Sequence, residues 1–542
     1  MSRAAVLGEP VPPLAERRRA IEAEPLPHGL WPLVEAAAAD APERVALDFF
    51  EDGERLTFAE LRDRAGRLAD GLARAGIRHG THVAVMLPNR AAFPVTWLAL
   101  ARLGAVMVPM NLAYTPREIA YVAADGDVAW AVVDRALLAA FDPPPPGLAP
   151  ERIVVVGDAP AGHPSWEGLV AAGSPAGPPS AVPAPDDLLN IQYTSGTTGL
   201  PKGCMLTQRY WLTAGLVNAR RDGRIYRRLL ASTPFFYMDP QWLLVMALWQ
   251  RATLFVARRQ SASRFMGWVR EHRIQFTLLP AVVAKQPPDR RDRDHELVRV
   301  NVYGLPPAEH AALEERFDLV AREAYGMTEI GSGMFMPIEA TDMVGSGSCG
   351  MPSPFREARI VDEAGRPLPP GAVGELEIRG PGILAGYYKK PEATAAAIRD
   401  GWFRTGDLFR QDERGYFFIV GRIKDMIRRA GENIAAREVE SVLTGHAAVA
   451  EAAAVPVPDP VRGEEVLAYV VLRPGLRPDA APPEQILAHC RANLAPFKVP
   501  RYLAYRDAFP KTPSDKIAKR LLADPAADPR AGSWDRVEAR WR

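Results

Sequence analysis

Residues 193–203 read YTSGTTGLPKG, a stretch that offers hydrogen-bond donors and one cation but almost nothing to pack. Glycines at 196, 199 and 203 expose backbone N–H groups that can form an anion nest. Ser195, Thr197 and Thr198 add hydroxyls, Thr194 opens the loop, and Lys202 supplies a point charge. Phosphate is the ligand such a set suits. A Walker-type loop requires G-x-x-x-x-G-K-[ST]. Here the lysine follows Leu-Pro, and Gly203 stands where a magnesium-binding hydroxyl is needed, so that reading fails on spacing. A solvated Gly/Ser/Thr linker is the competing reading, and it leaves the ordered string unexplained.

The loop must hang on regular elements, and the flanking sequence supplies them. LLNIQYTS reads as a strand running into it, and QRYWLTAGLVNARR as a helix beyond it. Upstream, helical and strand-like patterns alternate. LTFAELRDRAGRLADGLARAG has helical spacing, HVAVMLPN is strand-like, AAFPVTWLALARLGA is a helix and VMVPMN a buried strand. Thr115 and Glu118 stand at capping-box spacing, with Pro116 in the first turn, before the strand-like AWAVVD. Such alternation predicts an α/β fold with largely parallel sheets. The Pro/Gly/Ala-rich residues 143–187 read as surface connection. From about 356 the pattern turns to β-hairpins, including DLFRQDERGYFFIVG with Arg414-Gly415 at its turn. Beyond Gly421 a smaller α+β unit begins. The expected architecture is a large N-terminal domain of α/β sheets with a β-rich subdomain (1–422), followed by a small α+β C-terminal domain (423–542), with the boundary near Arg422–Lys424.

Composition bounds the partners. The chain has 542 residues, 48% hydrophobic and 24% charged, with a formal net charge of +1 and no basic stripe. That argues against nucleic acid and anionic membrane as principal partners. The most apolar runs are interrupted by charge well before the ~20 residues that span a bilayer, and the N-terminus lacks the apolar core of a signal peptide. Cys204, Cys349 and Cys490 are too scattered for a zinc site or a disulfide framework. A cytoplasmic protein without a transmembrane segment is expected, and monomer and homodimer both stay open. His272, His295 and His310 show neither HExxH spacing nor triad logic.

The quoted loop resembles the phosphate-loop signature of the adenylate-forming superfamily, which includes acyl-CoA synthetases, firefly-type luciferases and the adenylation domains of peptide synthetases. YGMTE at 325–329, GWFRTGDL at 401–408, GRIKDMIRRAGENI at 421–434 and PKTPSDKIAK at 510–519 follow in that group's order. The resemblance covers roughly residues 40–520. It implies an ATP-dependent carboxylate–CoA ligase. In that scheme a carboxylate attacks the α-phosphate of ATP, pyrophosphate leaves, and the thiol of coenzyme A displaces AMP from the acyl-adenylate. Thr194–Gly199 and Lys202 would then hold the outgoing phosphates. Thr328 would donate to phosphate, Glu329 would hold Mg²⁺, and Tyr325 with Gly326 would face adenine. Asp407 would clamp the ribose diol with Arg422 in support, and Lys516 would orient the carboxylate at the α-phosphate. The resemblance also implies that the small C-terminal domain is mobile; Lys424 falls at the implied hinge, and Gly431 in the loop that serves the thiol step. Two departures stand out. Asp515 replaces the glycine before the catalytic lysine, and Ala430 replaces a second glycine in the thiol-step loop.

The acid itself is harder to read. STPFFYMDPQW matches the segment that reads PLFH in many acyl-CoA synthetases, with Tyr237 in place of the histidine. Asp239 and Trp242 follow, and a carboxylate beside aromatics could cradle a quaternary ammonium. That order is similar to the crotonobetaine/carnitine-CoA ligase branch. The plainer alternative makes Trp242 core and Asp239 a helix cap. Gly304, in NVYGLPPAE, stands where relatives carry an adenine-contacting turn. Three other classes are weighed against the ligase: a stand-alone enzyme loading a separate carrier protein, a light-producing monooxygenase, and a degenerate nucleotide-binding protein. The short stretch after Lys516 argues against a fused carrier domain.

Overall fold

The computed structural model describes residues 2–176, 183–194, 201–429, 432–512, 516–522 and 528–542. The chain divides into two compact units, Met1–Ala358 with Ile378–Phe403, and Arg359–Glu377 with Arg404–Arg542.

Two sheets organise the first unit. One runs, edge to edge, through Ile153–Val156, Trp130–Asp134, His82–Met86, Val106–Pro109, Leu188–Thr194 and Lys202–Thr207. Its strands are parallel until the last pair, which is an antiparallel hairpin. The other has a parallel centre of Val45–Phe49, Thr253–Val256, Arg228–Ala231, Phe276–Leu278, Arg299–Val302 and Ala321–Met327. Gly331–Phe335 then turns back antiparallel on Ala321–Met327. Strands covered on both faces read as unbroken apolar runs, which is why VAVM and VMVP sit fully in the core. The α/β expectation is borne out.

Local signals act where the sequence places them. Thr115 and Glu118 form a reciprocal capping box that starts the helix Pro116–Asp125. Thr57 and Glu60 do the same for Phe58–Ala75, whose Leu61, Leu68 and Leu72 are fully buried. Each such side chain contributes about 1.5–3 kcal/mol by leaving water. One expectation needs correction. Residues 143–187 are not merely connection: Ile153–Val156 is an edge strand of the first sheet, and Trp166–Ala172 is a helix. Four consecutive β-branched residues outweigh the surrounding Pro/Gly bias there.

In the second unit, the stretch from Asp407 to Gln411 pairs antiparallel with Phe417–Arg422 around the Asp412–Tyr416 turn. Val449–Asp459 and Gly463–Leu472 form a long hairpin, and Tyr502–Tyr505 adds parallel to the latter strand. The helices Ala436–Thr444 and Pro483–Asn493 cover this sheet and bury Val439, Leu443, Ile486 and Leu487 against Val466 and Leu503. Among the described residues, no helix is long and apolar enough to cross a membrane.

Candidate active site

The strands flanking the phosphate-type loop pair residue for residue, with Thr194 opposite Lys202 and Tyr193 opposite Gly203. Thr194 and Lys202 therefore stand together at the mouth of the hairpin. Ser195, Gly196, Thr197, Thr198 and Gly199 lie outside the described residues. Two tyrosines brace the stem. Tyr193 donates to Asp125 at 2.8 Å, and Tyr121 donates to the Pro201 carbonyl at 2.9 Å. The Lys202 ammonium lies 4.9 Å from the centre of the Tyr387 ring and makes no ion pair among the described residues.

Tyr325 and Gly326 end the strand Ala321–Met327, and Thr328 and Glu329 form the turn that follows. Tyr210, fully buried on the helix Gln208–Arg220, donates to the Thr328 carbonyl at 2.9 Å. The Glu329 carboxylate accepts the Tyr387 hydroxyl at 3.0 Å, and its backbone carbonyl accepts Leu384 N–H at 2.7 Å. Burial, then the Glu329 charge, pushes the Tyr387 phenol far above its ordinary pKa, so it stays a donor. Burial and Glu329 also raise the Cys204 thiol well above its usual value, which keeps that cysteine inert.

No group of three or more His, Cys, Asp or Glu gathers among the described residues. A single buried carboxylate on the turn after a strand, in the same unit as a phosphate-type loop, nonetheless fits Mg²⁺. That ion commonly takes one or two carboxylates and completes its shell with phosphate and water.

The segment 235–242 is held by buried amides that sequence reading did not find. Asn89 accepts Phe235 N–H at 2.8 Å and donates to the Thr233 and Ala257 carbonyls. Gln241 donates to the carbonyls of Phe235 and Tyr237, and is itself held by Asn190 at 2.9 Å. Gln192 donates to the Phe236 carbonyl at 2.7 Å. This network fixes the backbone that carries Tyr237 to the start of the helix Met238–Gln250. Asp239 is in that helix's first turn and accepts Trp242 Nε1–H at 3.2 Å. It does not cap the helix: the N-cap position is Tyr237, without a side-chain cap bond. Trp242 is nearly buried, edge-on to Phe276, as the core alternative holds. No cation pairs with Asp239 among the described residues, and burial pushes its carboxyl pKa up against the opposing indole hydrogen bond. The Asp239 charge is felt at Tyr210, where it adds to the larger effect of burial, and it reaches the half-exposed Tyr303 as well. Tyr303 was not a sequence candidate. The alternation Arg299, Asn301, Tyr303 along one strand face is the signal that could have found it. Gly304 next to it takes φ +66°, and its N–H donates to Glu323 at 3.2 Å, a left-handed turn that suits glycine.

In the second unit, Asp407 is buried and ion-paired with Arg422, Nε to Oδ1 at 2.9 Å. Glu375 straps the preceding corner by accepting Gly406 N–H at 3.1 Å and pairing with Arg404. Lys424 lies inside this unit, in the short turn Ile423–Asp425. Thr512 N–H donates to the Lys516 carbonyl at 2.7 Å. Partial loss of solvent, then the Arg422 charge, lowers the Lys516 pKa against the pull of Asp407. Lys424 is lowered the same way, with Lys516 among the causes. Arg422, Lys424 and Lys516 thus share the field of one buried carboxylate, a surplus of positive charge suited to an anion. Gly431, Ala430 and Asp515 lie outside the described residues.

The AMP-binding enzyme family matches residues 34–388, and the AMP-binding enzyme C-terminal domain matches residues 438–516. The chain belongs to this family. The sulfoacetate–CoA ligase of Cupriavidus necator is 35% identical to it, over 91% of this chain and 97% of that protein. The crotonobetaine/carnitine–CoA ligase of Salmonella paratyphi A is 32% identical, over 86% and 93%. The crystal structure of ATP-bound MatB from Rhodopseudomonas palustris superposes with a TM-score of 0.82 at 28% identity, covering 90% and 97% of the two chains. The expected function holds: this adenylate-forming enzyme is an ATP-dependent, AMP-forming acid–thiol ligase that makes acyl-CoA through an acyl-adenylate.

Proposed function

We propose that the ligase activates a carboxylic acid bearing an ammonium or quaternary ammonium group, using ATP with Mg²⁺. The observation that carries this reading is Asp239, a carboxylate that accepts one indole N–H, has no cation partner among the described residues, and is raised in pKa by burial. A bound cation would give the Asp239 carboxylate the favourable charge partner that the described residues do not supply. The crotonobetaine/carnitine relative supports the choice.

The first step forms a bond between a substrate carboxylate oxygen and the α-phosphorus and breaks the bond to the leaving pyrophosphate. Thr194–Gly199, Lys202 and Thr328 stabilise charge on the departing phosphates, and Glu329 holds the metal. Mg²⁺, when bound, neutralises phosphate charge. Tyr325, Gly326 and Gly304 hold the adenine, and Asp407 with Arg422 holds the ribose. Lys516 supplies the cation that orients the attacking carboxylate. In the second step the thiol sulfur of coenzyme A bonds to the acyl carbon and AMP leaves, with Gly431 in the loop that serves this step. We take 1–422 and 423–542 as the parts that alternate between steps, about a hinge at Lys424. The enzyme works in the cytoplasm on this reading.

The test compares 4-(trimethylammonio)butyrate with its neutral isostere 5,5-dimethylhexanoate and with 3-sulfopropionate, with and without coenzyme A. Preference for the betaine, with acyl-CoA and AMP formed together, is the expected result. Equal kcat/KM for betaine and isostere, or preference for the sulfonate, rejects the ammonium reading and leaves the ligase intact. Acyl-adenylate that accumulates regardless of coenzyme A would instead favour a separate carrier as the thiol.

A further inference from the structure

Tyr387 belongs to no motif considered so far, yet it touches both the lysine and the carboxylate of the nucleotide site. Its segment runs alongside the strand Lys202–Thr207. Ala385 N–H donates to the Met205 carbonyl and Met205 N–H to the Gly386 carbonyl, both at 2.9 Å, and Tyr388 N–H donates to the Gly203 carbonyl at 2.8 Å. Cys204 and Tyr387 are bridge partners. Three residues before Tyr387, Leu384 N–H reaches the Glu329 carbonyl. A single piece of backbone is therefore stitched to the stem of the phosphate loop and to the turn that carries Glu329.

The residues on either side fix it firmly. Gly386 takes φ +143°, and a Cβ there would meet Thr394 at 2.9 Å. Tyr388 donates to Asp127 at 2.8 Å, and Lys390 pairs with Asp125 at 3.0 Å, the same carboxylate that accepts Tyr193. Thr394 accepts Tyr387 N–H at 2.9 Å. Held this way, the nearly buried Tyr387 presents its hydroxyl to Glu329 at 3.0 Å and its ring face to Lys202 at 4.9 Å.

We propose that Tyr387 is a positioning residue that aligns the metal-binding carboxylate and the phosphate-binding lysine with each other. The hydroxyl fixes the rotamer of Glu329, and a partner of this kind tunes the affinity of the metal it orients. The ring holds the Lys202 ammonium by cation–π attraction in the position from which it meets phosphate, so less ordering is left for phosphate binding to supply. The inference rests on the roles proposed above for Glu329 and Lys202.

The two contacts separate by substitution. Tyr387→Phe keeps the ring and removes the hydroxyl, whereas Tyr387→Leu removes both. Binding of Mn²⁺ to the full-length enzyme, followed by the loss of its free-ion electron paramagnetic resonance signal in the presence of α,β-methylene-ATP, should weaken about 10-fold or more in Tyr387→Phe. Metal-free binding of the same analogue, read by calorimetry, should be unchanged in Tyr387→Phe and weaker in Tyr387→Leu. Thermal melting checks that both variants fold. If the leucine variant is not folded, the phenylalanine variant decides alone. Unchanged Mn²⁺ affinity in Tyr387→Phe overturns the proposal, as does an equal loss of metal-free analogue binding in both variants. Glu329→Gln separates the two levels. If it leaves Mn²⁺ affinity unchanged, the metal role of Glu329 is wrong. If it weakens the metal while Tyr387→Phe does not, only the tyrosine's role fails.

Discussion

Two carboxylates in the first unit make the same kind of contact, and the proposed function gives them different tasks. Glu329 accepts a phenol O–H at 3.0 Å, and Asp239 accepts an indole N–H at 3.2 Å. Glu329 is stitched through its backbone to a segment that also lies along the phosphate-loop stem. Asp239 sits in the first turn of a helix, where the helix dipole favours a negative charge, but no side-chain cation answers it among the described residues. On the proposed roles, a carboxylate tied into the frame serves what every turnover needs, whereas one with no cation partner among the described residues awaits a particular substrate. On that proposal, reaction and specificity would be built from one chemical group in two settings.

The sharpest way to break this division is to remove charge on the side shared by all substrates. Lys516→Ala should slow adenylate formation by ~10²-fold or more for every acid, the scale of losing a preorganised charge stabiliser. Thioester formation from supplied acyl-adenylate should be spared. Single-turnover measurement of the two half-reactions checks this, and equal damage to both would remove Lys516 from a role confined to the first step.

A second substitution sharpens the comparison directly. Asp239→Asn should lower kcat/KM for ammonium-bearing acids about 10-fold, the scale of a desolvated charge contact. Neutral acids should be unaffected. Glu329→Gln should depress all acids alike. If the two variants gave the same substrate profile, the contrast between a shared and a substrate-specific carboxylate would collapse.

The part of this site that was legible in the sequence is the part written in contiguous residues. The string at 193–203, Thr328 and Glu329 in YGMTE, and Asp407 in RTGD owe their chemistry to neighbours in the chain, so their spacing is fixed. Tyr210, Tyr387 and the amides Asn89, Asn190, Gln192 and Gln241 reach the site from separate helices and strands. Nothing in the sequence fixes the spacing of a side chain that meets its partner only after folding. Fold followed the same rule. The helix announced by the Thr115/Glu118 capping box formed as expected, whereas Ile153–Val156 was masked by the prolines around it.

Tyr210 offers a milder test of how far the shared side depends on such distant support. Tyr210→Phe leaves the Thr328 carbonyl without its 2.9 Å donor, a loss of about 1 kcal/mol, or roughly 5-fold in rate if the turn shifts. Adenylation of charged and neutral acids should slow equally. A change confined to one class would place Tyr210 with the acid pocket instead, beside the Asp239 charge that already reaches it.

The smallest effect concerns stability. Asp239 has its folded-state pKa raised by burial, so the unfolded chain gives up this proton more readily than the folded one. Below the ordinary carboxylate range both states hold the proton, and the group costs nothing. As pH rises past that range towards the raised folded value, the unfolded state gains and stability falls. Asp239→Asn keeps an acceptor for the indole and removes the titration. The variant should therefore melt at a higher temperature than the parent at neutral pH, and the difference should shrink as pH falls below about 4. A difference independent of pH would show that solvent or an unseen cation already satisfies the carboxylate. The acid pocket would then have no vacancy for a charged substrate to fill.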